Sequence, residues 1–319
     1  MPRSKSPHRR SRRLAVALAL AFGLSAAPSL ADPPPDWTVQ EVVVTAQRAP
    51  VLWRLSKGDS EVWVLGVLPV MPKNQAWNSQ RLDRVLAGAH VVLTQAQTSV
   101  DLRTAFMLMT QHGLPHGQTL KAQLPPELAS RFDRDSALAH IPATRFAHDK
   151  PVWAALMLWL DYNHAANLSR DEPLMTVERL ARAHRVPVRP IGTYQGKDML
   201  ANLLHLPKEA AESCLADVLA DIEFNEVNAR PAARAWALGD IKTVHAHYAE
   251  PSLRLCLNQA PSWRILADRS VEDTVRAVDA ALASPGKSVA IFPLGDLLRT
   301  GGALDRLRAQ GVTVETPET

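Results

Sequence analysis

His245 and His247 are separated by one residue. On a strand both rings would face one side, where two imidazoles can begin a metal site. The preceding run, Leu238 to Val244, reads as helix, and a spacing of two on a helix turns the rings apart. No metal centre is expected there. His112 and His116 flank Gly113 and Pro115 in a turn, and His90 closes a helix, so each reads as a surface or capping residue. Ser60, Ser79 and Ser288 stand in no Gly-x-Ser-x-Gly elbow, and the chain has no Walker sequence. Gly295-Asp296 with Gly301-Gly302 is glycine-rich but lacks the phosphate-loop lysine. Eight tryptophans, among them Trp53, Trp63, Trp77 and Trp263, are able either to stack on a sugar or peptide or to fill a core.

The elements that must position these residues follow from periodicity and turn chemistry. Leu52-Trp53-Arg54-Leu55 and Glu61 to Leu65 flank the turn-rich Ser56 to Ser60 and predict a hairpin within residues 52–70. Arg81 to Ala87 has helical spacing, with Asn78 or Ser79 as N-cap and Gly88 as its end. Val91 to Thr94 reads as a buried strand. Helices are expected over Leu102–Gln111, from Pro125, over Pro151–Asn163 and over Leu174–His184, before a short strand at Val186–Ile191. Further helices are expected over Pro207–Asn228, Pro231–Leu238 and Ser270–Ala283. Ser288 to Phe292 is a buried strand leading to a loop at Pro293-Leu294-Gly295-Asp296. A helix over Ala303–Gln310 and a strand over Val312–Val314 follow. The expected class is α/β: a mixed β-sheet core with two similar strand-loop halves, around Gly66 and Gly295, packed against many helices.

This order of segments resembles the TraB/GumN family, which includes GumN-like exported proteins and the related Tiki metalloproteases. The resemblance covers roughly residues 51–315. It is carried by Leu52-Trp53 with Gly58-Asp59-Ser60, Leu65-Gly66, Ala87-Gly88-Ala89, Gly117 to Leu120, Ala235 to Asp240, and Val289 to Val314. It implies chemistry resting on two Gly-x-x-His motifs and nearby carboxylates that hold a divalent metal. This chain departs at each such position. Pro69 stands where the first histidine would be, and Asp296, after Gly295, aligns with the second. Gln95 and Gln97 replace an acidic pair, and Gly192 replaces a glutamate. Proline has neither lone pair nor titratable group, and a neutral amide is a poor ligand and no general base. Asp296 is the only ligand type left, and one carboxylate does not hold a metal tightly. The resemblance therefore implies no catalytic residues and no cofactor. Gly66, Pro69, Gln95, Gln97, Gly192, Gly295 and Asp296 would line a residual cleft.

Composition agrees with a soluble globule, at 46% hydrophobic and 21% charged residues. The net charge of +4 is local, because Arg3, Lys5, Arg9, Arg10, Arg12 and Arg13 precede any acid. The remainder is near neutral, so the charge gives no argument for nucleic acid. The basic start, the apolar run Leu14–Leu24 and Ser29-Leu30-Ala31 read as a signal peptide over residues 1–31, cut after Ala31. That run is too short for a stable membrane span. A proline-rich leader over 32–50 precedes one domain over 51–319. Periplasmic or secreted localisation follows, and Cys214 and Cys256 are there either one disulfide or two buried thiols. The expected function is a pseudoenzyme or binding protein of the cell envelope, with a protein, peptide or glycan partner. A hydrolase with rearranged metal ligands around Asp296 is the alternative, and an accessory in envelope polysaccharide export is a third.

Overall fold

The computed structural model describes residues 48–197, 202–249 and 261–316, without the side chains of 261–268. β1 (Leu52–Lys57) and β2 (Ser60–Val67) make the expected hairpin, in register from Leu52↔Leu65 to Lys57↔Ser60. Gly58, at φ +59°, supplies the left-handed residue that so tight a connection needs. Further along the chain come β4 (Val92–Thr94), β7 (Val188–Pro190), β9 (Gly286–Pro293) and β10 (Thr313–Glu315). The main sheet has the order β10-β1-β2-β9-β4-β7. β2, β9, β4 and β7 run parallel, and β1 is antiparallel to both its neighbours. The sheet is therefore mixed, as the sequence predicts. β9 is central and covered on both faces, which explains its unbroken buried run from Ser288 to Phe292.

Around the sheet lie α1 (Gln80–Leu86), α6 (Glu172–Ala183), α9 (Pro261–Leu282), α10 (Leu294–Leu298) and α11 (Ala303–Ala309). Their apolar faces join Val62, Val64, Leu65, Ala290 and Phe292 in one buried core. A second core is helical. It contains α3 (Leu120–Gln123), α4 (Pro126–Leu138), a 3-10 turn (Ala143–Phe146), α5 (Pro151–Ala165) and the first part of α7 (Lys208–Ala237). α2 (Leu102–Gln111) and α8 (Ile241–Ala246) complete the described helices. Two small sheets connect loops: β3 (Met71–Pro72) pairs with β6 (Leu168–Ser169), and β5 (Gln97–Ser99) with β8 (Thr193–Gln195).

Three expectations are corrected. Pro207–Asn228 and Pro231–Leu238 are one helix, α7, with Pro231 inside it. An interior proline costs about 3 kcal/mol. Here Leu215, Val218, Leu219 and Ile222 are buried in the helical core and Ala232, Ala233 and Trp236 in the sheet core. Burial on both sides of Pro231 outweighs its cost. The segment expected as a loop after β9 is also helical, because Leu294 and Leu297 lie one turn apart and are both buried. The two strand-loop halves consequently differ. β2 runs into a bend at Pro69-Val70, whereas β9 runs directly into α10. Finally, the last strand is displaced by one residue from 312–314, pairing Thr313 to Glu315 with Ser56 to Arg54.

Candidate functional site at the carboxyl edge of the sheet

Parallel register decides which motif residues meet. Gly66 lies opposite Phe292 and Val67 opposite Pro293, so β2 and β9 end together. Thr94 of β4 lies opposite Ile291 of β9 and Pro190 of β7. Gly66, Gln95, Gly192 and Leu294–Asp296 therefore all leave one edge, the carboxyl ends of the parallel strands, where open α/β sheets place their ligands. The Gln97 N–H donates to the Gly192 carbonyl at 3.0 Å, which joins two of the altered positions through backbone alone.

The β2–β9 half of this edge is closed. A Cβ at Gly66 would overlap Leu294 Cδ2 and lie 2.9 Å from Leu294 Cγ and 3.0 Å from the Trp53 ring. The Gly66 carbonyl accepts a 2.7 Å hydrogen bond from the buried Trp236 Nε1–H, and Trp236 meets Trp77 edge-on at 5.4 Å. Glycine is therefore required at 66 by packing. Pro69, half-buried in the bend, adds no polar group.

On the β4–β7 half, Gln95 and Gln97 are exposed amides, and Gly192 has only the Ala96 Cβ near it, at 3.9 Å. Asp296, in the first turn of α10 beside the buried Gly295, is 3% exposed and accepts a hydrogen bond from the Ser270 hydroxyl at 3.1 Å. Among the described residues no three His, Cys, Asp or Glu side chains come together as a metal would need. Pro69, Gln95, Gln97 and Gly192 offer neutral amide oxygens at most. The residues present do not fit the divalent metal that the resemblance implies.

One polar cluster beside this edge lies outside the expected set. Tyr194 of β8 donates its hydroxyl to Asp273 of α9 at 2.5 Å. Arg276 donates to the other oxygen of Asp273 at 2.6 Å, and Arg269 lies 3.6 Å from the first and over the Tyr194 ring. Burial, reinforced by the bond to Asp273, pushes the Tyr194 phenol well above its ordinary range, so it remains a donor. The signal for this cluster is the spacing of Arg269, Asp273 and Arg276, which places them on one face of a helix. The arrangement anchors β8 to α9 and presents guanidinium groups to solvent. Its one hydroxyl, that of Tyr194, is held as a donor to Asp273.

The other candidates resolve into structural roles. His245 is in α8 and His247 caps it, with His247 Nδ1 2.8 Å from Asn228 Oδ1. His112 pairs with Asp149 at 2.8 Å and stacks on Trp153, and His90 packs against Gly286. Ser60 donates to the Ser284 carbonyl at 2.8 Å. Trp53 is core, and Trp63 lies between the guanidinium groups of Arg54 and Arg81. The Trp263 side chain is outside the described set. Cys214 is fully buried on α7 and is not a free thiol. Cys256 lies outside the described residues, as do the expected signal peptide and all of the leader but residues 48–50.

The helical core holds polar groups that the sequence reading passed over. Trp159 donates to Asp221 at 2.7 Å and Tyr162 to Glu226 at 3.0 Å. Both oxygens of Asp135, on α4, are buried without a hydrogen-bond partner, and burial pushes its carboxyl up to about 6.

Residues 51–316 match the TraB/PrgY/gumN family, which spans nearly the whole folded chain. No curated protein and no solved structure matches. Among the described residues, no helix is long and apolar enough to cross a membrane.

Proposed function

From the premise that this chain belongs to the TraB/PrgY/gumN family, we propose that it is an exported, non-catalytic member that acts by binding at the cell envelope. One observation carries the reading. Among the seven motif positions of the sheet edge the one ionisable group is Asp296, buried and held by Ser270, and the other six are amides, a proline and glycines. Such an edge can accept and donate hydrogen bonds through Gln95, Gln97 and the Tyr194 cluster, which suits a peptide or glycan partner. The amides, the proline and the glycines supply no general base.

Metal analysis of the tag-free protein tests this. The expected result is no stoichiometric transition metal and no peptide hydrolysis. One equivalent of tightly bound metal that is lost in Asp296→Ala would overturn it, in favour of a hydrolase with rearranged ligands. Export is proposed through cleavage after Ala31, so the mature protein should begin at Asp32 and fractionate with the periplasm or medium. A disulfide between Cys214 and Cys256 is proposed for that compartment. Alkylation without reductant should leave both cysteines unmodified.

A further inference from the structure

Away from the sheet edge, the ends of α4 and α5 and the middle of α7 surround a groove of about 280 Å³. Ala137, Ala165, Ala166 and Ala229 are among its lining, and its polar groups are His140, Tyr162, Asn225, Glu226 and Arg230. Glu226 and Arg230 are four residues apart on one helix, the spacing at which such residues ordinarily pair with each other. Here each is held by a different group. Glu226 Oε2 accepts from the Tyr162 hydroxyl at 3.0 Å, and Arg230 Nη2 donates to the Ala166 carbonyl at 3.0 Å. One carboxylate oxygen and most of the guanidinium donors take no part in these bonds, and both residues are exposed where they line the groove.

The anchors are fixed ones. Tyr162 is 1% exposed. Burial, with the bond to Glu226, holds its phenol above the ordinary range, so it donates at any working pH. Arg230 is tied to the carboxyl end of α5, where the Ala166 carbonyl is left over from the helix. At the rim His140, one residue past the C-cap of α4, takes φ +59°, a conformation that usually goes to glycine and costs about 1 kcal/mol for other residues. It places an imidazole at the mouth of the groove.

We propose that this groove binds a small zwitterion of the α-amino-acid class. The ammonium would lie on Glu226 and the carboxylate on Arg230, with the remainder against the lining alanines. The Cβ atoms of Glu226 and Arg230 are about 5–6 Å apart, one helical turn, so the two side chains can reach the closely spaced opposite charges of such a molecule together. The volume is just below the usual range of about 300–1,000 Å³ for ligand sites, on the scale of one amino acid. This proposal stands independently of the reading of the sheet edge.

Titration calorimetry of the full-length protein with each of the twenty free α-amino acids, one at a time, tests it. At least one should bind at one equivalent. For that amino acid, the N-acetyl and α-amide derivatives, each lacking one charge, should bind about tenfold or more weakly, as should the free amino acid to Glu226→Gln and Arg230→Ala. Tyr162→Phe should weaken binding severalfold, by releasing Glu226. The derivatives need no variant, so the result does not depend on how well a variant folds. If no amino acid binds up to millimolar concentration, or binding ignores both charge deletions on the ligand, the proposal fails.

Discussion

The sheet core and the helical core of this molecule treat polar groups in opposite ways. The sheet core, around Gly66, Leu294 and Trp236, is closed and apolar, and two of its buried polar side chains are bonded at its margin: Ser60 to Ser284, and Asp296 to Ser270. The helical core matches no motif, yet it buries Asp135 without a hydrogen bond and sets Tyr162, Glu226 and Arg230 around a groove. The difference teaches that Gly66, at the end of β2, serves packing. The uncommitted polar chemistry of this chain is in the helices.

The contrast can be broken most forcefully at Trp236. Trp236→Ala removes a wholly buried ring and leaves the Gly66 carbonyl unbonded. A loss of about 4 kcal/mol is expected in urea unfolding. A loss below about 1 kcal/mol would mean that the closed half of the edge contributes little to the fold.

Asp135 probes the helical side. Its folded pKa is raised, to about 6 from 3.8. At pH 3 both folded and unfolded states are neutral there. Between pH 3.8 and about 6 the unfolded chain ionises first, so stability is lost as pH rises, by about 3 kcal/mol above pH 6. Asp135→Asn should remove that part of the slope. The stability difference between pH 3 and pH 7 should shrink by about that amount relative to wild type. An unchanged slope would show that Asp135 titrates normally and that the helical core is not polar in the sense argued.

Gly66→Ala returns to the sheet with a smaller change. One methyl must displace Leu294 or Trp53, for a cost of about 1–3 kcal/mol in thermal or urea unfolding. Ala substituted at Gly192, which has open surroundings, provides the matched control and should cost less. Smallest of all, Gln95→Glu with Gln97→Glu changes exposed side chains and should move stability within about 0.5 kcal/mol. If metal binding appears once Pro69→His is added, the edge is a family site that lost its ligands. If it does not, the geometry has moved as well as the residue types.

Much of this was legible in the sequence where local chemistry and tertiary demand agree. The hairpin at Gly58-Asp59, the helices from Pro126 and Pro151, and the buried run of β9 all follow from turn residues and periodicity. The misses share a cause. Pro231 and Gly295 are strong local breakers, and both are overridden by burial of residues on either side. The strands β3, β5, β6 and β8 are two or three residues long and exist only through partners distant in sequence, so no local pattern announces them. The positions at the sheet edge were found through resemblance, and their shared edge comes from the parallel register. The Tyr194–Asp273 pair and the groove on α7 needed the structure, because each is assembled from separate elements.

The order of the main sheet also bears on how the chain is made. β9 separates β2 from β4, and its partner residues in β2 precede it by more than two hundred positions. A nascent chain that ends before Gly286 has both neighbours of the central strand and nothing to join them. The sheet closes last, when the carboxyl-terminal segment arrives. A chain ordered this way completes its core only once its carboxyl-terminal strand has been made.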